Sequence, residues 1–186
     1  MKSNNYTTDI KKQFEGKVII VTGSTQGSGA ETAKLFAARG ANAITICGRQ
    51  EEKGAQIKKE IEELGSKCLY VKADLSIVED CKKIVELTDK EFGTVHSLVN
   101  VAGYTERGTI LSATLENYEK NFNVNARAPF ILTQEAVKIM IRDKNKGTIA
   151  NLLSMAMYSG MPFLTAYSGS KAALAIMTKN IANSLT

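Results

Sequence analysis

Histidine occurs once in the 186 residues, proline twice and cysteine three times. Each scarcity excludes a chemistry. The one histidine, His96, gives zinc no ligand set. It also lies at the very start of a predicted strand, on the side away from the expected ligand crevice, so a Ser-His-Asp triad lacks its base. Cys47, Cys68 and Cys81 form no CxxC, and an odd number leaves a disulfide framework incomplete. They read as buried free thiols in a reducing compartment. Met1 to Asp9 are polar and hold no long apolar run, which predicts neither a signal peptide nor a membrane span. The expected location is cytoplasmic.

Charge of one sign is also thin. The formal net charge is +5, but the basic residues are dispersed, and the longest clusters are pairs such as Lys11-Lys12 and Lys58-Lys59. No aromatic residues interleave with them as on a stacking platform. A solvated basic surface is the expectation, with no nucleic-acid or membrane partner. Most acids fall on predicted outer helix faces, which leaves a carboxylate-pair hydrolase without its acids.

What is present is an ordinary globular composition, 44% hydrophobic and 23% charged. A polar lead-in over 1–16 precedes one domain over 17–186. Lys17 to Thr22 is a short β-branched run stopped by Gly23, and reads as a strand buried on both faces. Helical spacing follows from Gly29 to Arg39 and ends at Gly40, the position after the cap. The alternation continues with a strand over 43–47 and a helix over 51–64. Next come a strand over 67–72, a helix over 77–92 and a strand over 95–101. One long helix is predicted from about Thr114 to Arg142, then a strand over 147–153 and a helix over 167–185. Five strand–helix alternations predict a three-layer α/β fold around a parallel sheet.

The first strand runs into Gly23-Ser24-Thr25-Gln26-Gly27-Ser28-Gly29 and then a helix. Glycines allow a tight turn and close approach of a ligand. The helix N-terminus behind them offers free N–H groups to a pyrophosphate. This is a dinucleotide site by placement, although the spacing is Gly-x-x-x-Gly-x-Gly; the plainer alternative is an ordinary glycine-rich turn. The second strand ends at Gly48-Arg49, with no carboxylate for a ribose 2′-hydroxyl. Arg49 suits a 2′-phosphate, so NADP(H) is favoured over NAD(H); otherwise it is a solvated loop residue. Asp74, beside Leu75, either accepts from an adenine amino group or caps the following helix.

Tyr167 and Lys171 lie four apart on one helix face, and Ser154 ends the fifth strand. A phenol holds its proton at neutral pH, and a neighbouring ammonium favours its ionised form. Such a tyrosine can exchange a proton with an alkoxide or alcohol while a serine hydroxyl holds the substrate oxygen. Pro129 has no N–H to offer the carbonyl of Asn125, four residues earlier. The predicted consequence is a kink whose free carbonyl holds a water and relays protons to Lys171. The alternative is a proline kink without chemistry.

Taken together, Thr22-Gly23-x-x-x-Gly27-x-Gly29, Asp74, Asn100-Val101-Ala102-Gly103, Asn125, Ser154 and Tyr167-x-x-x-Lys171 strongly resemble the short-chain dehydrogenase/reductase family of the classical type. The resemblance runs from about Phe14 to the last residue. It implies a Rossmann-type sheet in the order 3-2-1-4-5. It also implies an oxidoreductase interconverting a carbonyl compound and a secondary alcohol with NAD(P)(H). Tyr167 would be the general acid/base, Lys171 the ribose ligand, Ser154 the substrate-orienting group and Asn125 the holder of the relay water. Asn100, Ala102 and Gly103 would line the cofactor site, with Val101 where the family has a second asparagine. Family members usually add a sixth and a seventh strand and a substrate cover, so the resemblance implies a chain shortened at its C-terminus, with the fifth strand an open edge.

The resemblance also implies a homodimer or homotetramer, with Phe130, Ile131, Ala172, Ala173 and Met177 available for the contact or for the core. Met155, Met157, Tyr158, Met161 and Phe163 make the segment after Ser154 apolar, which suits a partly hydrophobic carbonyl substrate. The competing reading is a dinucleotide-binding remnant or interaction module with little or no turnover.

Overall fold

The computed structural model describes residues 10–185. Most of the polar lead-in, residues 1–9, lies outside the described residues. A 3-10 turn at Ile10–Lys12 leads into β1 (Val18–Thr22). Then follow α1 (Gly27–Ala38), β2 (Ala43–Gly48), α2 (Glu51–Glu63), β3 (Lys67–Lys72), α3 (Val78–Phe92) and β4 (Ser97–Asn100). The chain continues through α4 (Leu115–Phe122), α5 (Ala128–Arg142), β5 (Thr148–Asn151), α6 (Ala156–Ser159) and α7 (Thr165–Ser184).

The five strands form one parallel sheet in the order β3-β2-β1-β4-β5. β1 is central and fully buried because its side chains serve two cores. Ile19 and Val21 face α1 and α2, where they pack with Ala33, Ala37, Ile44 and Ile61. Ile20 faces α3 and α5, where it packs with Ile84, Val85, Leu98 and Leu132. This alternation with a period of two is what a strand between two helical layers requires. Gly40 (φ +84°) and Gly93 (φ +77°) end α1 and α3 in the left-handed conformation that glycine adopts without steric cost. All three cysteines are buried and free.

One element departs from the sequence reading. The helix expected to run unbroken over 114–142 is interrupted by a π turn at Asn123–Arg127. There the amide of Ala128 donates to Asn123, five residues back. Pro129, in the first turn of α5, cannot close an α-type bond to Asn125, and a wider turn accommodates the missing donor. The short α6 in the segment after Ser154 was also unforeseen; four residues are too few to show a helical period.

Candidate active site

The C-terminal ends of β1, β2, β3 and β4 open into a cleft of about 370 Å³. Its floor is the turn between β1 and α1. Gly23 (φ +63°) and Gly27 (φ +57°) bend the backbone there. At Gly29 a Cβ would lie 2.3 Å from the carbonyl oxygen of Gly23, so only glycine fits. Gln26, the residue before α1, is extended and its side chain does not cap the helix. The first N–H groups of α1 are thus left for a ligand. The Gln26 side chain accepts instead from Lys53 Nζ at 2.7 Å. Thr22 Oγ1 accepts from the amides of Val101 (3.1 Å) and Ala102 (3.2 Å), which fixes the segment after β4 against the turn.

Gly23, Thr25, Gln26, Gly27, Ser28, Gly29, Arg49, Asp74, Leu75, Ala102 and Gly103 all line this cleft. Ser24, Asn100, Tyr167 and Lys171, also expected there, are not among its lining residues. Ser24 is fully buried; its hydroxyl donates to the Val21 carbonyl and accepts from the Cys47 amide. Asn100 is likewise buried, and its amide donates to Asn151 Oδ1 at 2.8 Å. Both brace the sheet beneath the cleft, Ser24 through the Cys47 amide on β2 and Asn100 through Asn151 on β5, although Asn100 Oδ1 itself is buried without a partner.

Arg49 and Asp74 both line the cleft, near enough for the Arg49 cation to act on the Asp74 carboxylate. Burial works against the charged form of Asp74, but hydrogen bonds from Ser76 and the nearby Arg49 cation outweigh it and hold the carboxyl below its usual range. Asp74 Oδ1 accepts from the Ser76 amide (2.9 Å) and hydroxyl (2.7 Å). The carboxylate therefore fills the local turn-closing role and lines the cleft at once. Glu51 pairs with Lys72 at 2.9 Å, so Arg49 is left without an ion pair among the described residues.

At the inner end Lys171 and Asn125 come together around Leu152 and Gly103, whereas Ser154 and Tyr167 are not among the residues lining the cleft. Lys171 is 3% exposed, and its Nζ donates to the carbonyl of Leu152, a cleft residue, at 2.7 Å. Burial pushes the pKa of this ammonium down. A Cβ on Gly103 would lie 3.7 Å from Asn125 Oδ1 and 3.8 Å from Lys171 Nζ, so both groups reach the same cleft residue. The Asn125 side chain is fully buried and saturated with protein partners. Its Oδ1 accepts from the Tyr104 amide (2.8 Å), and its Nδ2 donates to the Tyr104 carbonyl (2.8 Å) and to Ser170 Oγ (3.0 Å). Ser170 passes the connection to the carbonyl of Tyr167 at 2.7 Å. Asn125 thus fastens the loop after β4 to the helix that carries Tyr167 and Lys171.

Ser154 lies just past β5, and its Oγ accepts from the Ala156 amide at 3.2 Å, starting α6. α6 packs against α7, whose first turn holds the half-buried Tyr167. The loops over this end are cross-tied: the amide of Gly108 donates to the Phe163 carbonyl at 3.1 Å. Met155, just before α6, and Tyr158, within it, are 76% and 74% exposed.

Sequence reasoning did not name Tyr104, Lys120, Val124 or Leu152, which also line the cleft. Lys120 and Val124 precede Asn125 by five residues and one residue, spacings that share no helical face with it, so no local pattern singled them out. His96 lies at the opposite end of the sheet, where Nδ1 accepts from the Val18 amide at 3.1 Å. A second groove, of about 500 Å³, lies beside β5 and contains none of these groups.

The sequence model of a family described as short chain dehydrogenase matches residues 17–186. An uncharacterized oxidoreductase of Thermotoga maritima is 36% identical over 169 residues, which are 91% of this chain and 66% of that protein. A short chain dehydrogenase of Pseudocercospora fijiensis is 35% identical over 175 residues, 93% of this chain and 56% of its own length. A crystal structure from Sinorhizobium meliloti 1021, assigned to a short-chain alcohol dehydrogenase, superposes with a TM-score of 0.85 at 27% identity. It is covered to 68% and this chain to 94%. The chain thus spans 56 to 66% of the length of these two curated relatives.

Proposed function

The chain belongs to the short-chain dehydrogenase family, and from that premise we propose that it interconverts a carbonyl compound and a secondary alcohol, with Tyr167 as general acid/base. The observation that carries this reading is the convergence of Lys171 and Asn125 on Gly103, at the inner end of a cleft floored by a helix N-terminus. The residues present fit a dinucleotide: the turn at Gly29 has no room for a side chain, and the α1 amides are uncapped. A nicotinamide cofactor supplies the hydride when bound.

The chain's own groups divide the remaining work. The first turn of α1 binds the pyrophosphate. Arg49 takes a 2′-phosphate, which makes NADP(H) the favoured cofactor over NAD(H). Lys171, its ammonium fixed by Leu152, holds the ribose hydroxyls and keeps positive charge beside the Tyr167 phenol. The Tyr167 hydroxyl gives a proton to the substrate oxygen in reduction and removes it in oxidation. Ser154 orients that oxygen. The backbone carbonyl of Asn125, in the π turn, holds a water that connects Lys171 to solvent.

The exposed apolar residues Met155, Tyr158 and Met161 after Ser154 favour a partly hydrophobic substrate. The assembly proposed is a homodimer or homotetramer. Phe130 is exposed and free for such a contact, whereas Ile131 is spent on the core. No helix among the described residues is long and apolar enough to cross a membrane.

The test is NADPH-dependent turnover of a ketone panel by the parent and by Tyr167→Phe. The variant should bind NADPH as the parent does and lose turnover by roughly 10²–10⁴-fold, the range of a positioned proton donor. Equal turnover by the two proteins rejects the role of Tyr167. Tight NADPH binding by a parent with no turnover on any ketone identifies a cofactor-binding module instead.

A further inference from the structure

Arg127 lies in the π turn, two residues beyond Asn125, yet its side chain points away from the reactive end. Its Nη2 donates to the backbone carbonyl of Ser76 at 2.6 Å, joining residues 51 positions apart. Among the described residues it forms no salt bridge, and its Nε is buried without a partner. A guanidinium whose Nε is buried without a partner incurs a desolvation cost. Surface solubility does not require such an arrangement.

The segment it holds is the outer wall of the cleft. The Ser76 amide and hydroxyl both donate to Asp74 Oδ1, and the Ile77 amide donates to the Asp74 carbonyl at 2.9 Å. The Asp74 amide donates to Asp80 Oδ2 at 2.7 Å. Asp74 and Leu75 line the cleft; Ser76 links them to Arg127. Without Arg127, the Ser76 carbonyl has no cross-chain anchor, and the turn that aims the Asp74 carboxylate rests on its own local bonds.

We propose that Arg127 is a positioning residue for cofactor binding: through the Ser76 carbonyl it fixes the Asp74–Leu75 wall against which the adenosine end of the dinucleotide rests. This rests on the cofactor reading above. Arg127 touches no cofactor itself. The charge-assisted bond is the reason an arginine stands here rather than a shorter neutral donor.

The test uses the full chain with two ligands, NADPH and adenosine 2′,5′-bisphosphate, titrated well below the melting midpoint. Arg127→Met keeps the apolar stem and removes the donor. It should weaken both ligands about tenfold, equivalent to about 1.4 kcal/mol. Arg127→Lys, which restores a cation able to reach a carbonyl, should recover most of that loss. Arg127→Met binding both ligands as tightly as the parent overturns the proposal. So does Arg127→Lys binding no better than Arg127→Met, since packing alone would then account for the effect. Should Arg127→Met fail to fold, Arg127→Gln takes its place in the same comparison with Arg127→Lys. A parent that binds neither ligand defeats the cofactor reading and this inference with it. A parent that binds beside an unaffected variant defeats this inference alone.

Discussion

The ammonium of Lys171 and the backbone carbonyl of Leu152 lie 2.7 Å apart, in a place almost closed to solvent. Leu152 directly follows β5, and Lys171 is on α7, so the bond joins the sheet to the helix behind the cleft. It leaves the ammonium held at one point while its other two hydrogens stay available. A cation placed this way can serve ribose hydroxyls and a phenol together, which a freely rotating surface lysine cannot.

Burial of Lys171 makes stability depend on alkaline pH. Its folded-state pKa lies below the ordinary value of 10.5, through desolvation. Between those two values the unfolded chain binds more protons than the native one, so stability rises with pH across that window. Below the window the burial penalty is present in full. Lys171→Met has no such group and lacks this contribution to the slope. Urea midpoints of both proteins from pH 7 to pH 10.5 should show the parent gaining on the variant at the alkaline end. A constant gap between them removes Lys171 as the source.

Under the proposed function, Arg49 should set cofactor choice. It has no carboxylate within ion-pair distance among the described residues and lines the cleft together with Asp74. A hydrogen bond to a charged group contributes roughly 1.5–3 kcal/mol, so losing one to a 2′-phosphate costs about ten- to a hundredfold in affinity. Arg49→Ala should therefore weaken NADPH by that factor and leave NADH within about threefold. Fluorescence titration with each cofactor measures both. Equal losses for NADPH and NADH reject the phosphate assignment.

The alternation of short apolar runs with helical spacing was enough to read the layer order, and β3 falls on the residues expected, Lys67–Lys72. Side-chain direction was harder. Ser24 and Asn100 lie in segments beside the cleft, but the Ser24 hydroxyl bonds the Cys47 amide on β2 and the Asn100 amide bonds Asn151 on β5. Pro129 announced a missing donor in the long helix; that the chain answers with a π turn rather than a bend depends on packing around it. Arg127 reaches Ser76 and Asn125 reaches Ser170 across 51 and 45 residues, and no local pattern marks either pair. Local periodicity carries the scaffold, whereas these bonds exist only once the elements are assembled.

The glycines of the β1–α1 turn should respond differently to one added methyl group. Gly27 has φ +57°, but a Cβ built there meets nothing within 4 Å. Gly27→Ala therefore incurs only left-handed strain, roughly 1–2 kcal/mol. Gly29 has room for nothing: its Cβ would meet the Gly23 carbonyl oxygen at 2.3 Å and the Gly23 carbonyl carbon at 2.8 Å. These are backbone atoms, and a flexible side chain cannot be rotated aside to relieve them. Gly23 cannot retreat freely either, since its own Cα side faces Ala102, where a Cβ would come within 2.7 Å of the Ala102 Cα. Gly29→Ala must displace the turn as a whole, at the upper end of overpacking costs, about 3 kcal/mol. For a domain of this size, roughly 2–4 °C of melting midpoint is lost per kcal/mol, so Gly29→Ala should melt about 6–12 °C below the parent. The drop for Gly27→Ala should be the smaller of the two. Thermal melts without ligand make the comparison, and a Gly29→Ala midpoint equal to that of Gly27→Ala would show that the turn yields where the geometry says it cannot.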